Sequence, residues 1–188
     1  MLGGGNPGKV PAVQSVLRER LAAAAANPAD FDRMIANYAH PAGDIAFRRA
    51  LARLLERELG WPLGPEHVAL TAGSQTGFFM LFNLLAGTGV DGSERRILLP
   101  MTPEYVGYAG LGVEGELFAA RRPDIELQAP PYFKYRVAFE DLTLGPEIAA
   151  VCVSRPTNPT GNVLTDGELT RLDALCRQAE VPLIIDSA

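Results

Sequence analysis

Apolar residues recur at helical spacing in some stretches of the chain and as short unbroken runs in others. Residues 1–10 are Gly-rich and contain Pro7, and read as a loop. Pro11 then stands at a first helical turn, where its missing N–H costs nothing, and Val13, Val16, Leu17 and Leu21 follow at helical spacing. The alanine run 22–26 extends this helix, and Asn27-Pro28 ends it, because the residue before a proline is pushed away from helical geometry. A second stripe, Phe47, Leu51, Leu54, Leu55 and Leu59, predicts a helix with Asp44 as N-cap and Gly60 as its stop. A third helix opens at Gly73-Ser74 and carries Phe78, Phe79, Leu81, Phe82, Leu84 and Leu85. Apolar on nearly all sides, it is expected to be buried in a larger body. Thr165, with Glu168 three residues on, has the spacing of a capping box and predicts a fourth helix.

Between these helices lie short apolar runs that read as strands: Val68–Thr71, Ile97–Leu99, Ala149–Val153 and Pro182–Ile185, with Glu114–Phe118 and Ile125–Leu127 as weaker versions. Strands alternate with helices, and the strongest strands are continuously apolar. That pattern predicts an α/β fold with a mostly parallel sheet and helices on both faces. Residues 1–36 read as an N-terminal arm and helix, and residues 37–188 as the α/β domain.

Composition narrows the classes. The 188 residues are 47% hydrophobic and 21% charged, which excludes wholesale disorder, and the net charge of −5 argues against a nucleic-acid binder. Cys152 and Cys176 form no CxxC pair, and His40 and His67 are far apart, so no metal site is read. No run reaches the roughly 18 apolar residues of a membrane span, and no secretory signal precedes the first helix, so a cytoplasmic protein is expected. Only two lysines occur, Lys9 and Lys134.

In an open parallel sheet, ligands bind beyond the carboxyl ends of the strands, and four unusual segments fall there. Thr71-Ala72-Gly73-Ser74-Gln75 leads into an apolar helix; a helix start offers N–H groups to a phosphate, although the same residues also suit a plain N-cap. Pro103-Glu104-Tyr105-Val106-Gly107-Tyr108 places aromatic rings on a loop, either to stack on a flat ligand or simply to fill a crevice. Ser154-Arg155-Pro156-Thr157-Asn158-Pro159-Thr160-Gly161-Asn162 is a stiff turn from which an amide can donate to an oxyanion, or an ordinary Asx-type turn. Asp186 ends an apolar strand, where a buried carboxylate needs a cationic or donor partner. Together they describe one ligand with a phosphate, a flat ring, an oxyanion and a ring cation.

These segments resemble the N-terminal half of fold-type I, pyridoxal-phosphate (PLP) dependent aminotransferases. The likeness also runs through Leu2-Gly3-Gly4-Gly5-Asn6-Pro7, Asn37-Tyr38 and Phe133-Lys134-Tyr135. The Asn-Pro-Thr-Gly core is shared widely in class I, whereas the Gly-Gly-Gly-Asn-Pro, Pro-Glu-Tyr and Ser-Arg-Pro-Thr-Asn-Pro-Thr-Gly-Asn forms resemble the narrower valine–pyruvate branch. The resemblance implies that Ser74, Gln75 and the Gly73 backbone hold the cofactor phosphate, that Tyr105 stacks on the pyridine ring, and that Asn158 donates to its phenolic oxygen. It implies that Asp186 pairs with the pyridinium nitrogen and that Tyr38 reaches the phosphate of a neighbouring subunit, hence a homodimer. Gly4, Gly5 and Asn158 are implied to meet the substrate.

The family's Schiff-base lysine matches neither Lys9 nor Lys134, and its substrate-binding arginine has no counterpart here. The expectation is therefore a fragment, inactive alone, of an enzyme of roughly twice this length with a further small C-terminal domain. Other readings stay open: an alanine-type aminotransferase or carbon–sulfur lyase on the same scaffold, or the aminotransferase-like sensor domain of a transcription regulator. A nucleotide-binding domain is disfavoured, since no GxGxxG or P-loop follows a strand.

Overall fold

The computed structural model describes residues 8–187. The chain divides into two compact units, with the boundary between Thr71 and Ala72.

The first unit holds α1 (Pro11–Ala26), α2 (Pro28–Ala36), α3 (Ile45–Leu59) and a 3-10 turn at Pro65–His67. Helix α1 begins and ends where the pattern predicts, but Pro28 also begins something. The Asn27 side chain accepts from Ala29 N at 3.1 Å and Asp30 N at 3.4 Å, and Pro28 takes the first position of α2. A proline that stops one helix is preorganised to start the next. Asp44 caps α3 by accepting from Phe47 N at 2.8 Å, and Gly60 closes it in the left-handed region at φ 69°. Val68–Thr71 is not a strand. Buried Arg48, on α3, donates from Nε to the Val68 carbonyl at 2.7 Å and from Nη2 to that of Pro65 at 2.7 Å, while Leu70 N donates to the Ala42 carbonyl. The segment's backbone partners are a side chain and a turn rather than a neighbouring strand.

The second unit starts with α4 (Ser74–Leu85) and continues through β1 (Gly87–Thr88), β2 (Glu94–Leu99), β3 (Phe118–Ala120), β4 (Asp124–Leu127), β5 (Phe133–Arg136), β6 (Ile148–Ser154), α5 (Asp166–Gln178) and β7 (Leu183–Asp186). Strand β2 pairs in parallel with β3 and β6, β6 in parallel with β7, and only β1 joins antiparallel. Of Glu114–Phe118, only Phe118 enters a strand. Strand β5, unpredicted, pairs antiparallel with β4 in a separate two-stranded sheet; its Phe-Lys-Tyr-Arg alternation is too short and too polar to stand out.

Alternation along the central strands sorts side chains to two faces. Ile97, Leu99, Ala150 and Cys152 pack with Phe78 and Phe82 of α4. Leu98, Val151 and Val153 pack with Leu172 and Cys176 of α5. Both faces are thus covered, as expected. Helix α4 is less enclosed than its sequence suggests. Phe78 and Phe82 are buried, but Phe79, Met80, Leu81 and Leu84 are exposed, Leu84 by 80%. Among the described residues no helix is long and apolar enough to cross a membrane.

Candidate active site

At the carboxyl ends of β6 and β7 lies a cavity of about 370 Å³, within the ~300–1,000 Å³ range of small-molecule sites. It is lined by Gly73, Ser74 and Gln75 from the start of α4, Tyr105 and Tyr108 from the loop after β2, Ser154 and Asn158 from the end of β6 and its loop, and Asp186 from β7. Every described residue of the second unit singled out for a cofactor therefore meets the same space.

Gly73 is the N-cap of α4 at φ 90°, a left-handed conformation that any side chain would strain. It turns the chain so that the first turn of α4 faces the cavity. No acid occupies that turn, so the positive end of the helix dipole is left for an anion.

Asp186 is 9% exposed and sits beside Ser154 in the parallel register of β6 and β7. The Tyr108 hydroxyl donates to its Oδ2 at 2.6 Å. Burial first, then this bond to a carboxylate, pushes the Tyr108 phenol well above its ordinary pKa, so it remains a donor. Its ring is held by Phe78 at 5.3 Å and Phe82 at 5.4 Å, and it meets Tyr105 edge-on at 5.4 Å. Tyr108 thus joins the ring expected to stack on a ligand to the carboxylate expected to pair with it. The sequence left Tyr108 between stacking on a ligand and filling a crevice, and named no bond to Asp186; its spacing of three from Tyr105 was the available signal. Cys152, on the same face of the sheet and packed in one cluster with Tyr108, is pushed up to about 12 by burial and stays a neutral thiol.

Glu104 was not singled out, yet it is a second buried carboxyl, 9% exposed. Its Oε1 accepts from Ser154 N at 3.1 Å, and its Oε2 accepts from Tyr105 N at 3.3 Å and from the Ser154 hydroxyl. Burial raises its pKa, opposed by the Ser154 donors.

The loop after β6 is tied internally and to β5. Thr157 Oγ1 donates to the Ser154 carbonyl at 3.1 Å, Thr157 N to the Asn162 carbonyl at 2.8 Å, and Gly161 N to the Thr157 carbonyl at 2.7 Å. Buried Asn162 accepts from Tyr135 N at 3.1 Å and donates to the Tyr135 carbonyl at 3.2 Å. Asn158 is thereby presented, exposed, from a fastened loop.

Tyr38 is in the first unit, fully exposed, in a groove with Asn37, His40 and Arg48. Gly4 and Gly5 lie outside the described residues. Lys134 is on β5, away from this cavity's lining, and Lys9 precedes α1. Among the described residues no cluster of metal-ligating side chains occurs.

No protein-family model matches the chain. It is 48% identical along its whole length to the valine–pyruvate aminotransferase of Escherichia coli K12, of which it covers 45%. It is 30% identical, over 80% of its length, to an S-alkyl-thiohydroximate lyase of Arabidopsis thaliana, of which it covers 30%. The crystal structure of valine–pyruvate aminotransferase from Salmonella typhimurium LT2 superposes on the whole chain with a TM-score of 0.84 at 47% identity, covering 46% of that chain. The chain thus spans about half the length, or less, of the proteins it matches. It has the fold of the PLP-dependent aminotransferases of fold type I, and along its whole length it is similar to the N-terminal part of valine–pyruvate aminotransferases.

Proposed function

We propose that the protein is a PLP-dependent aminotransferase that moves an amino group between an aliphatic amino acid, valine, and a 2-oxo acid, pyruvate. The observation that carries this reading is the convergence of Ser74, Tyr105, Asn158 and Asp186 on one cavity of suitable size.

The residues fit the cofactor chemically. The acid-free first turn of α4, with the Ser74 hydroxyl and the Gln75 amide, suits a phosphate. The Tyr105 ring, steadied edge-on by Tyr108, suits a flat heterocycle. The Asn158 amide suits a phenolic oxygen. Asp186, nearly buried and bonded by Tyr108, suits a ring cation, because an opposite charge in a low-dielectric site favours the protonated nitrogen. Bound PLP supplies an electron sink for bond cleavage at the amino acid's α carbon. The chain's part is to hold that group, keep its nitrogen protonated through Asp186, and present Asn158 to its oxygen. The lysine, the arginine and the rest of the large domain come, in this reading, from further protein, as does the small C-terminal domain. Residues 37–188 are the cofactor-binding portion, and Tyr38 serves the neighbouring site of a cytoplasmic homodimer.

The test is product analysis with the full-length gene product, PLP, valine and pyruvate. Formation of alanine and the 2-oxo acid of valine is expected. No alanine from any amino donor would overturn this reading, and release of pyruvate, ammonia and a thiol from a cysteine conjugate would replace it with a lyase. The similarity to the Arabidopsis lyase makes that the competing outcome. The 188-residue chain alone is expected to show no lysine-linked PLP adduct after borohydride reduction and mass spectrometry.

A further inference from the structure

We propose that Glu104 is a positioning residue of the cofactor site, a buried carboxylate that clamps the ring-stacking loop to the end of β6 and so sets where Tyr105 and Ser154 stand. The inference rests on the proposed function and extends it to a residue outside the cavity lining.

The geometry supports a clamp rather than a filler. Glu104 reaches a strand end 50 positions away in sequence and receives both donors of Ser154, the N–H at 3.1 Å and the hydroxyl, together with the N–H of Tyr105 at 3.3 Å. Ser154 and Tyr105 both line the cavity. Ser154 is also the residue in register with Asp186, and its carbonyl accepts from Thr157, next to Asn158. One side chain therefore joins three parts of the candidate site.

A carboxyl is a costly choice here. An uncharged side chain would avoid the desolvation that raises the Glu104 pKa. The titratable groups facing it are Asp186 on β7, Cys152 on β6, and Tyr105 and Tyr108 on its own loop. Asp186 adds like-charge repulsion. What a carboxylate offers is two acceptor oxygens for three donors, and negative charge behind Asp186. That charge strengthens the site's preference for a protonated ring.

The experiment uses the full-length gene product, wild type and Glu104→Gln, prepared without cofactor. Two quantities are measured: the Kd for PLP, and the pH midpoint of the bound cofactor's absorption change. Glu104→Gln is expected to raise Kd roughly tenfold, the weight of one charge-assisted hydrogen bond, and to move the midpoint to lower pH. A folded variant with the wild-type Kd and midpoint would overturn the proposal, since a merely structural glutamate would alter stability alone. If Glu104→Gln does not fold, Ser154→Ala removes the hydroxyl contact and leaves the N–H. A raised Kd is then expected, and an unchanged Kd overturns the clamp. If the wild-type protein binds no PLP, the functional reading itself fails and the clamp fails with it.

Discussion

Tyr108 and Asp186 show how much a single contact organises this site. The phenol is buried, it stays protonated in the working pH range, and its oxygen lies 2.6 Å from a carboxylate oxygen. Tyr108→Phe keeps the ring against Phe78 and Phe82 and deletes only the donor. Chemical denaturation of the cofactor-free protein should show a loss of about 1–3 kcal/mol, as for a buried bond to a charged group; a loss near zero would mean water replaces the phenol. Phe82→Ala is of a different kind. Phe82 has no exposure and packs on Tyr108 and Phe118, so its loss leaves a cavity and should cost about 3–5 kcal/mol. Gly107 matters through its neighbour. A Cβ there would overlap the Tyr105 ring, so Gly107→Ala should tilt the stacking face and weaken PLP binding by titration, with little change in the unfolding midpoint.

Helix α5 depends on a start that serves two elements. Thr165 accepts from Glu168 N at 3.2 Å, and Glu168 accepts from Thr165 N at 2.9 Å, a reciprocal cap. Glu168 also accepts from Val137 N at 3.1 Å and from Arg136 at 3.3 Å, so the cap fastens the segment after β5 to α5. Thr165→Ala should cost about 1 kcal/mol in urea unfolding, the usual weight of an N-cap. Glu168→Ala should cost more, because it also strands the Val137 donor and leaves Arg136, among the described residues, with Glu126 as its one remaining carboxylate partner. The cap spacing was visible in the sequence; the use of the same glutamate by β5 was not, since β5 itself was not recognised.

Across the whole molecule, two partly or fully buried glutamates give opposite pH responses. Burial would raise the Glu168 pKa, but the Thr165 and Val137 N–H groups and Arg136 more than offset it and hold it low. Its contribution to stability is present above the ordinary glutamate range and is lost as pH falls through the depressed value. Glu104 is raised, so its contribution is present below the ordinary range and is lost as pH rises through the elevated value. Unfolding free energies from acid to neutral pH should therefore fall less steeply with rising pH in Glu104→Gln than in wild type. The sequence by itself determined the local elements. Helix caps at Asp44, Gly60 and Thr165, the apolar runs of β2, β6 and β7, and the cluster of polar and aromatic residues at strand ends all follow from spacing and from residues a few positions apart. Tertiary structure alone decided that Val68–Thr71 gives its backbone to Arg48, that α4 leaves Leu84 outside, that Tyr108 meets Asp186 across 78 positions, and that Glu104 meets Ser154 across 50. The physical reason is range. A helix or cap is written in bonds three or four residues long, whereas a buried carboxylate finds its donor only after parallel strands, distant in sequence, have aligned their ends, and no local periodicity encodes that alignment.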